Sequence, residues 1–155
     1  MLRFTKKTES GRSMIEIIGV LAIMAIISAA AFVLIRSAMA TQRRNQVVND
    51  FMNIASGVRT LFADYDNLET MAGLTGTSVL SAIGIDIDNT PYNGAFYDVH
   101  VDVEDATYQY FVVSISNLPT RDCNALNAMD WPGASSDSEG TCNGNDNQVS
   151  VEYKK

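Results

Sequence analysis

Hydrophobic and polar positions divide the chain into three regimes. From Ile17 to Ile35 nineteen residues pass without a charge, a run that predicts a helix apolar on every face. Nineteen helical residues rise roughly 28 Å, against a bilayer hydrocarbon core of about 30 Å. Next comes a stripe of Val47, Phe51, Ile54, Val58, Leu61 (with Phe62) and Tyr65, while Asn49, Asp50, Asn53 and Arg59 fall off it. Steps of alternately four and three residues describe one face of an amphipathic helix. No proline precedes Pro91, and Gly19 and Gly57 are the only glycines between residues 13 and 65. The two stretches therefore predict a single helix from about Ser13 to about Tyr65, on the order of 80 Å long. A helix of that length overshoots any domain built from the residues after it, so its first half must be buried in a bilayer or against copies of itself.

The third regime has a different period. Residues 66–94 are rich in Gly, Thr, Asn and Asp, with an apolar stretch from Val79 to Ile87. They read as a loop with one short helix, closing in the turn Asn89-Thr90-Pro91-Tyr92-Asn93-Gly94. Tyr97, Val99, Val101 and Val103 then alternate with Asp98, His100 and Asp102, the period-two signature of a half-buried strand. A second strand is expected from Thr107 to Ser116, forming a hairpin with the first, and a third at Val149, Val151 and Tyr153. Long helix, meander, late strand: this order predicts an α+β fold, with a long N-terminal helix packed on an antiparallel sheet head.

Charge and composition narrow the chemistry. Eleven basic residues face 18 acidic ones, a net charge of -7, so no basic stripe is available for nucleic-acid phosphates. One histidine and two cysteines fall short of the commoner zinc ligand sets. Neither a Gly-rich phosphate loop nor a Gly-x-Ser-x-Gly elbow occurs. The sequence thus points to no catalytic residue, no cofactor and no resident metal, and to a structural or binding protein rather than an enzyme. His100, in strand register with Asp98 and Asp102, reads as a solvated strand histidine. Two clusters offer hard oxygen ligands, Asp86, Asp88 and Asn89 in one, Asp137, Glu139, Asn143, Asn145 and Asp146 in the other. Neither matches an EF-hand loop, and both read as solvated turns. The charges are also segregated. Residues 12–49 hold four basic side chains and one acid, residues 50–155 four basic and sixteen acidic. One consequence would be stem arginines meeting the acids of neighbouring copies in a salt-sensitive assembly.

The amino terminus carries the most specific signal. Arg3, Lys6, Lys7 and Arg12 precede the apolar run, and Glu16 stands at its start. A secretory signal peptide, with Ser28-Ala29-Ala30-Ala31 as cleavage site, or a plain signal anchor would account for the run but not for Glu16. A carboxylate entering lipid costs a few kcal/mol unless paired, which makes it a functional residue by default. The stretch Gly11-Arg12-Ser13-Met14-Ile15-Glu16 with its apolar continuation resembles the prepilin peptidase site of type IV pilins and type II secretion pseudopilins. In that family a basic leader ends in glycine, cleavage follows it, and the fifth mature residue is glutamate. Those roles fall on Gly11, on the Gly11–Arg12 bond and on Glu16. Arg12 departs from the apolar residue that the family places first in the mature chain, and it stands one helical turn from Glu16.

Cys123 and Cys142 add to this. In a head outside the cytoplasm they read as one disulfide rather than free thiols, since a redox or metal pair needs closer spacing. Closing the loop would restrict the unfolded chain by about 3 kcal/mol on the entropic account. The run from Tyr110 to Pro119 leading into Cys123 resembles the strand and short helix before the first cysteine of type IVb pilins, and Asn93-Gly94 their loop-to-sheet junction. The resemblance implies a leader over 1–11, a membrane or filament-core helix half over 12–36, an amphipathic half over 37–65 and a globular head over 66–155. It implies a structural pilus subunit that inserts in the inner membrane, is cleaved by prepilin peptidase and polymerises with itself through the inner-membrane assembly machinery. The head would lie in the periplasm and then on the extracellular filament, serving adhesion, motility or transfer. A type II secretion pseudopilin is the alternative, and a membrane-anchored periplasmic protein a more distant one.

Overall fold

The computed structural model describes residues 14–102, 106–144 and 146–155. Eight elements follow in order: α1 Met14–Leu61, α2 Glu69–Ala72, α3 Gly76–Ala82, β1 Phe96–Val101, β2 Tyr110–Ser116, α4 Thr120–Asn127, β3 Glu139–Thr141 and β4 Gln148–Lys154. The chain divides into two compact units after Met39, so the amphipathic half of α1 belongs with the sheet. The fold is α+β, with a long N-terminal helix, an antiparallel sheet in the order β1-β2-β4-β3 and a disulfide in the C-terminal loop.

In the first unit α1 is exposed at every large apolar position from Met14 to Met39. In the second, the stripe does what its spacing requires. Val47, Phe51, Ile54, Ala55, Val58 and Phe62 are buried against the inner face of the sheet. That face carries Tyr97, Val99 and Val101 of β1, Phe111, Val113 and Ile115 of β2, and Val149, Val151 and Tyr153 of β4. Phe51 sits at the centre, edge-on to Tyr97 with centroids 6.0 Å apart and 4.7 Å from Trp131. The Tyr97 hydroxyl donates to Asp50 Oδ2 at 2.7 Å, and burial holds its pKa well above the usual phenol value. Burial also pushes the Tyr153 phenol up to about 12.

Two boundaries differ from expectation. α1 ends at Leu61, and beyond Val58 the buried position is Phe62, whereas Leu61 and Tyr65 are exposed. A step of four from Val58 keeps to the core-facing side, and the chain then turns through the bond from Ala63 N–H to the Thr60 carbonyl. Likewise β2 begins at Tyr110 rather than Thr107. The residues just before it are taken up elsewhere: Leu68 N–H donates to the Tyr108 carbonyl, Gln109 Nε2 to the Asp66 carbonyl, and Tyr108 adopts a left-handed φ of 52°. Val103, at the expected end of the first strand, lies outside the described residues. Where the sequence reads solvated turns around Asp137 and Glu139, the structure has β3, three exposed residues paired with β4 just before Cys142.

Both sheet edges are covered, which removes templates for unwanted pairing. At β1 the start of α3 comes so close that a Cβ on Gly76 would stand 2.8 Å from the Val99 carbonyl oxygen and 2.9 Å from its nitrogen. The Ile87 carbonyl accepts from Tyr97 N–H on the same edge. At β3, Gly140 lies against Asn127 of α4, where a Cβ would meet Oδ1 at 2.6 Å.

Candidate functional site

Glu16 occupies the first turn of α1, where the unpaired backbone N–H groups of a helix favour a carboxylate. Its side chain is exposed and borders a shallow depression shared with Ile17, Val20 and Leu21. The helix beyond it is long and apolar enough to cross a membrane, and the apolar window is wholly unburied by the rest of the chain. Among the described residues the structure thus sets one carboxylate beside an apolar surface. Gly11 and Arg12, the expected cleavage pair, lie outside the described residues, as does the amino-terminal segment before them.

At the other end of the chain Cys123 and Cys142 form a disulfide with a Cα–Cα separation of 5.7 Å. Cys123 is buried on α4, and Cys142 follows β3 directly. The bond therefore joins the helix to the edge of the sheet. Asn147 reinforces it from the inside. Its Nδ2 donates to the Leu118 carbonyl at 2.7 Å and to Thr120 Oγ1 at 3.1 Å, while its Oδ1 accepts from Gly144 N–H at 3.0 Å. One buried amide thus ties the start of α4 to the turn before β4. Asn147 carried no sequence signal, because an asparagine in an Asn-rich stretch looks like any other solvated turn residue.

The stem arginines are also partly used within the chain. Arg44 donates from Nε and Nη2 to Asp122 Oδ1 at 3.0 and 2.8 Å, linking α1 to α4 beside the disulfide. Arg36 stacks on Phe32 with its guanidinium carbon 4.3 Å from the ring centroid. Arg44 is accordingly committed to an acid of its own chain rather than free for a neighbour's. Close to this pair the buried Tyr92 phenol is raised, first by desolvation and then by the Asp122 charge.

The other chemistry-bearing residues stay apart. His100 Nδ1 lies 3.7 Å from Asp98 Oδ2 with both side chains about half exposed. Asp86 receives the N–H of Asp88 on its Oδ1 and that of Asn89 on its carbonyl, a local turn. Among the described residues no three His, Cys, Asp or Glu side chains come together as a metal site; Asn145 lies outside them. No protein-family model matches the chain and no curated protein matches it either, so its own residues and geometry carry the functional argument.

Proposed function

We propose that the chain is a type IV pilin-like subunit, held in the inner membrane by the first half of α1 and then polymerised into a helical filament. The observation that carries this reading is Glu16 in the first turn of a helix whose first half, to Met39, is apolar on every side and exposed among the described residues. A bilayer or a bundle of identical helices can cover such a surface, but only a partner with a cation can neutralise the acid cheaply. The amino-terminal ammonium of an adjacent subunit is that partner, so docking satisfies the charge and sets the axial register. The disulfide-closed loop at the end of the α+β head favours a pilin over a type II secretion pseudopilin, which shares the leader and helix.

The test is genetic and biochemical together. Cleavage between Gly11 and Arg12 leaves 144 residues with 8 basic and 17 acidic side chains, readable by intact-mass analysis of filaments. A mature chain starting near Phe32 would instead identify a secretory signal. Glu16→Ala is expected to abolish surface filaments with membrane insertion and leader cleavage retained. Arg12→Phe is expected to be tolerated, because it leaves the ammonium in place. Normal filaments from Glu16→Ala would remove this residue from the mechanism. Loss of filaments in Arg12→Phe alone would make Arg12 the partner, within the same chain.

A further inference from the structure

Two charges bracket the apolar half of α1. Between Met14 and Met39 the chain has one acid, Glu16, and one base, Arg36, with nineteen uncharged residues between them. Both side chains are exposed on one unbroken helix, and among the described residues neither has an ion-pair partner. Helical rise sets their separation at roughly 30 Å along the axis. Over the same stretch the helix completes five turns and about 200° more, so the two charges leave it on nearly opposite faces. Neither can reach the other within one chain. A second copy, parallel and displaced along the axis by roughly 30 Å, brings its Glu16 level with Arg36.

A second observation concerns Arg36 itself. An arginine at the end of an apolar run ordinarily extends its head toward water. Here the guanidinium folds back over the apolar run, its central carbon 4.3 Å from the centroid of Phe32, one turn earlier on the same face. Stacking occupies one face of the planar group and leaves its N–H edge open, the edge that takes a carboxylate through two parallel bonds. The length of the run adds a third argument. Roughly 30 Å is also the thickness of a bilayer's hydrocarbon core, so in a membrane Glu16 and Arg36 sit at opposite interfaces. A copy leaving the bilayer must carry its carboxylate across that thickness, which is unfavourable while the charge is unpaired. Displaced by one thickness, its Glu16 arrives beside the Arg36 of a copy still in place.

We infer that Arg36 receives Glu16 of the preceding copy and so sets a stagger of roughly 30 Å between two copies of α1. The inference rests on the filament reading of Glu16 and keeps the ammonium contact. That cation comes from a different neighbour, nearly level with Glu16, and a carboxylate has lone pairs for both. Because the two charges face opposite ways, each copy gives its acid on one side and its guanidinium on the other. Such a contact is head-to-tail and propagates an open array rather than closing a dimer.

Filaments sheared from cells producing the full chain test the stagger. Gly19→Cys with Met39→Cys places a thiol three residues beyond each charge, at exposed positions with the same offset. Oxidation with copper phenanthroline is expected to give a ladder of disulfide-linked multimers from this double variant and none from either single variant. Gly19→Cys with Ser28→Cys, which also faces opposite ways but at a stagger of about 14 Å, is expected to give at least about tenfold less. Arg36→Gln is expected to lower filament yield about tenfold or more, with membrane level and leader cleavage unchanged, and Arg36→Lys by no more than about threefold. Equal ladders from the two cysteine pairs, or none from Gly19→Cys with Met39→Cys, would overturn the stagger. Parental filament yield from Arg36→Gln would overturn Arg36 as the partner and leave it a contact for lipid phosphate. Loss of filaments in Arg36→Gln without the expected ladder would move its partner to the acids of a neighbouring head, which also overturns the inference. Parental yield from Glu16→Ala would remove the filament reading itself, a failure distinct from all of these.

Discussion

Phe32 and Phe51 lie on the same helix in opposite surroundings. Phe32 belongs to the first unit and is 54% exposed, touching the Arg36 guanidinium and little else. Phe51 is fully buried between Tyr97 and Trp131. The first unit spreads its apolar residues around the whole helix, and none of the described residues covers them. The second confines them to one stripe and covers it with a sheet. The hydrophobic effect acts on both, but only the second satisfies it within one chain. Half of this helix is therefore built for another solvent or another molecule, and the other half for this chain's own core.

The sharpest break of the comparison is the same substitution at both positions. Phe51→Ala is expected to destabilise the second unit by about 3–5 kcal/mol, read as a lower thermal midpoint of the full chain in detergent. Phe32→Ala should change the stability of that unit by less than about 0.5 kcal/mol, since it touches no core. Similar losses at both sites would mean that the two units share a core. A somewhat smaller effect is expected at the disulfide. Replacing Cys123 and Cys142 by serine should cost about 3 kcal/mol in the second unit while leaving membrane fractionation unchanged. Two free thiols in the natively purified chain would break this prediction at its premise. Smallest is the ion pair at the base of α4. Asp122→Asn should cost about 1 kcal/mol and remove part of the salt dependence of unfolding, because both side chains remain partly exposed, at 21% and 18%. A null result there would leave Asn147 and the disulfide as the ties that hold α4.

How much was legible in the sequence follows the same divide. Glu16 stood out because an unbroken apolar run makes any charge conspicuous, a purely local contrast. The stripe from Val47 to Val58 and the alternation from Tyr97 to Val101 were legible because helix and strand periods are also local. Cys123 and Cys142 could be paired by spacing and compartment. β3 was not legible: its three side chains are all exposed, so no alternation marks it, and only hydrogen bonding to β4 makes it a strand. Nor was the bond between Arg44 and Asp122, partners 78 residues apart.

The sequence by itself determined where α1 is apolar on all sides and where on one, that a sheet follows, and that one carboxylate stands at the entry to the apolar run. These are properties of neighbours along the chain, set by side-chain period and solvation. Only the tertiary structure decided that Phe62 rather than Leu61 closes the stripe, that α3 and α4 cover the sheet's edges, and that Ser150 pairs with Ser114 on one side and Glu139 on the other. Those outcomes depend on which distant backbones come into register, and two strands in register align side chains that share no local pattern.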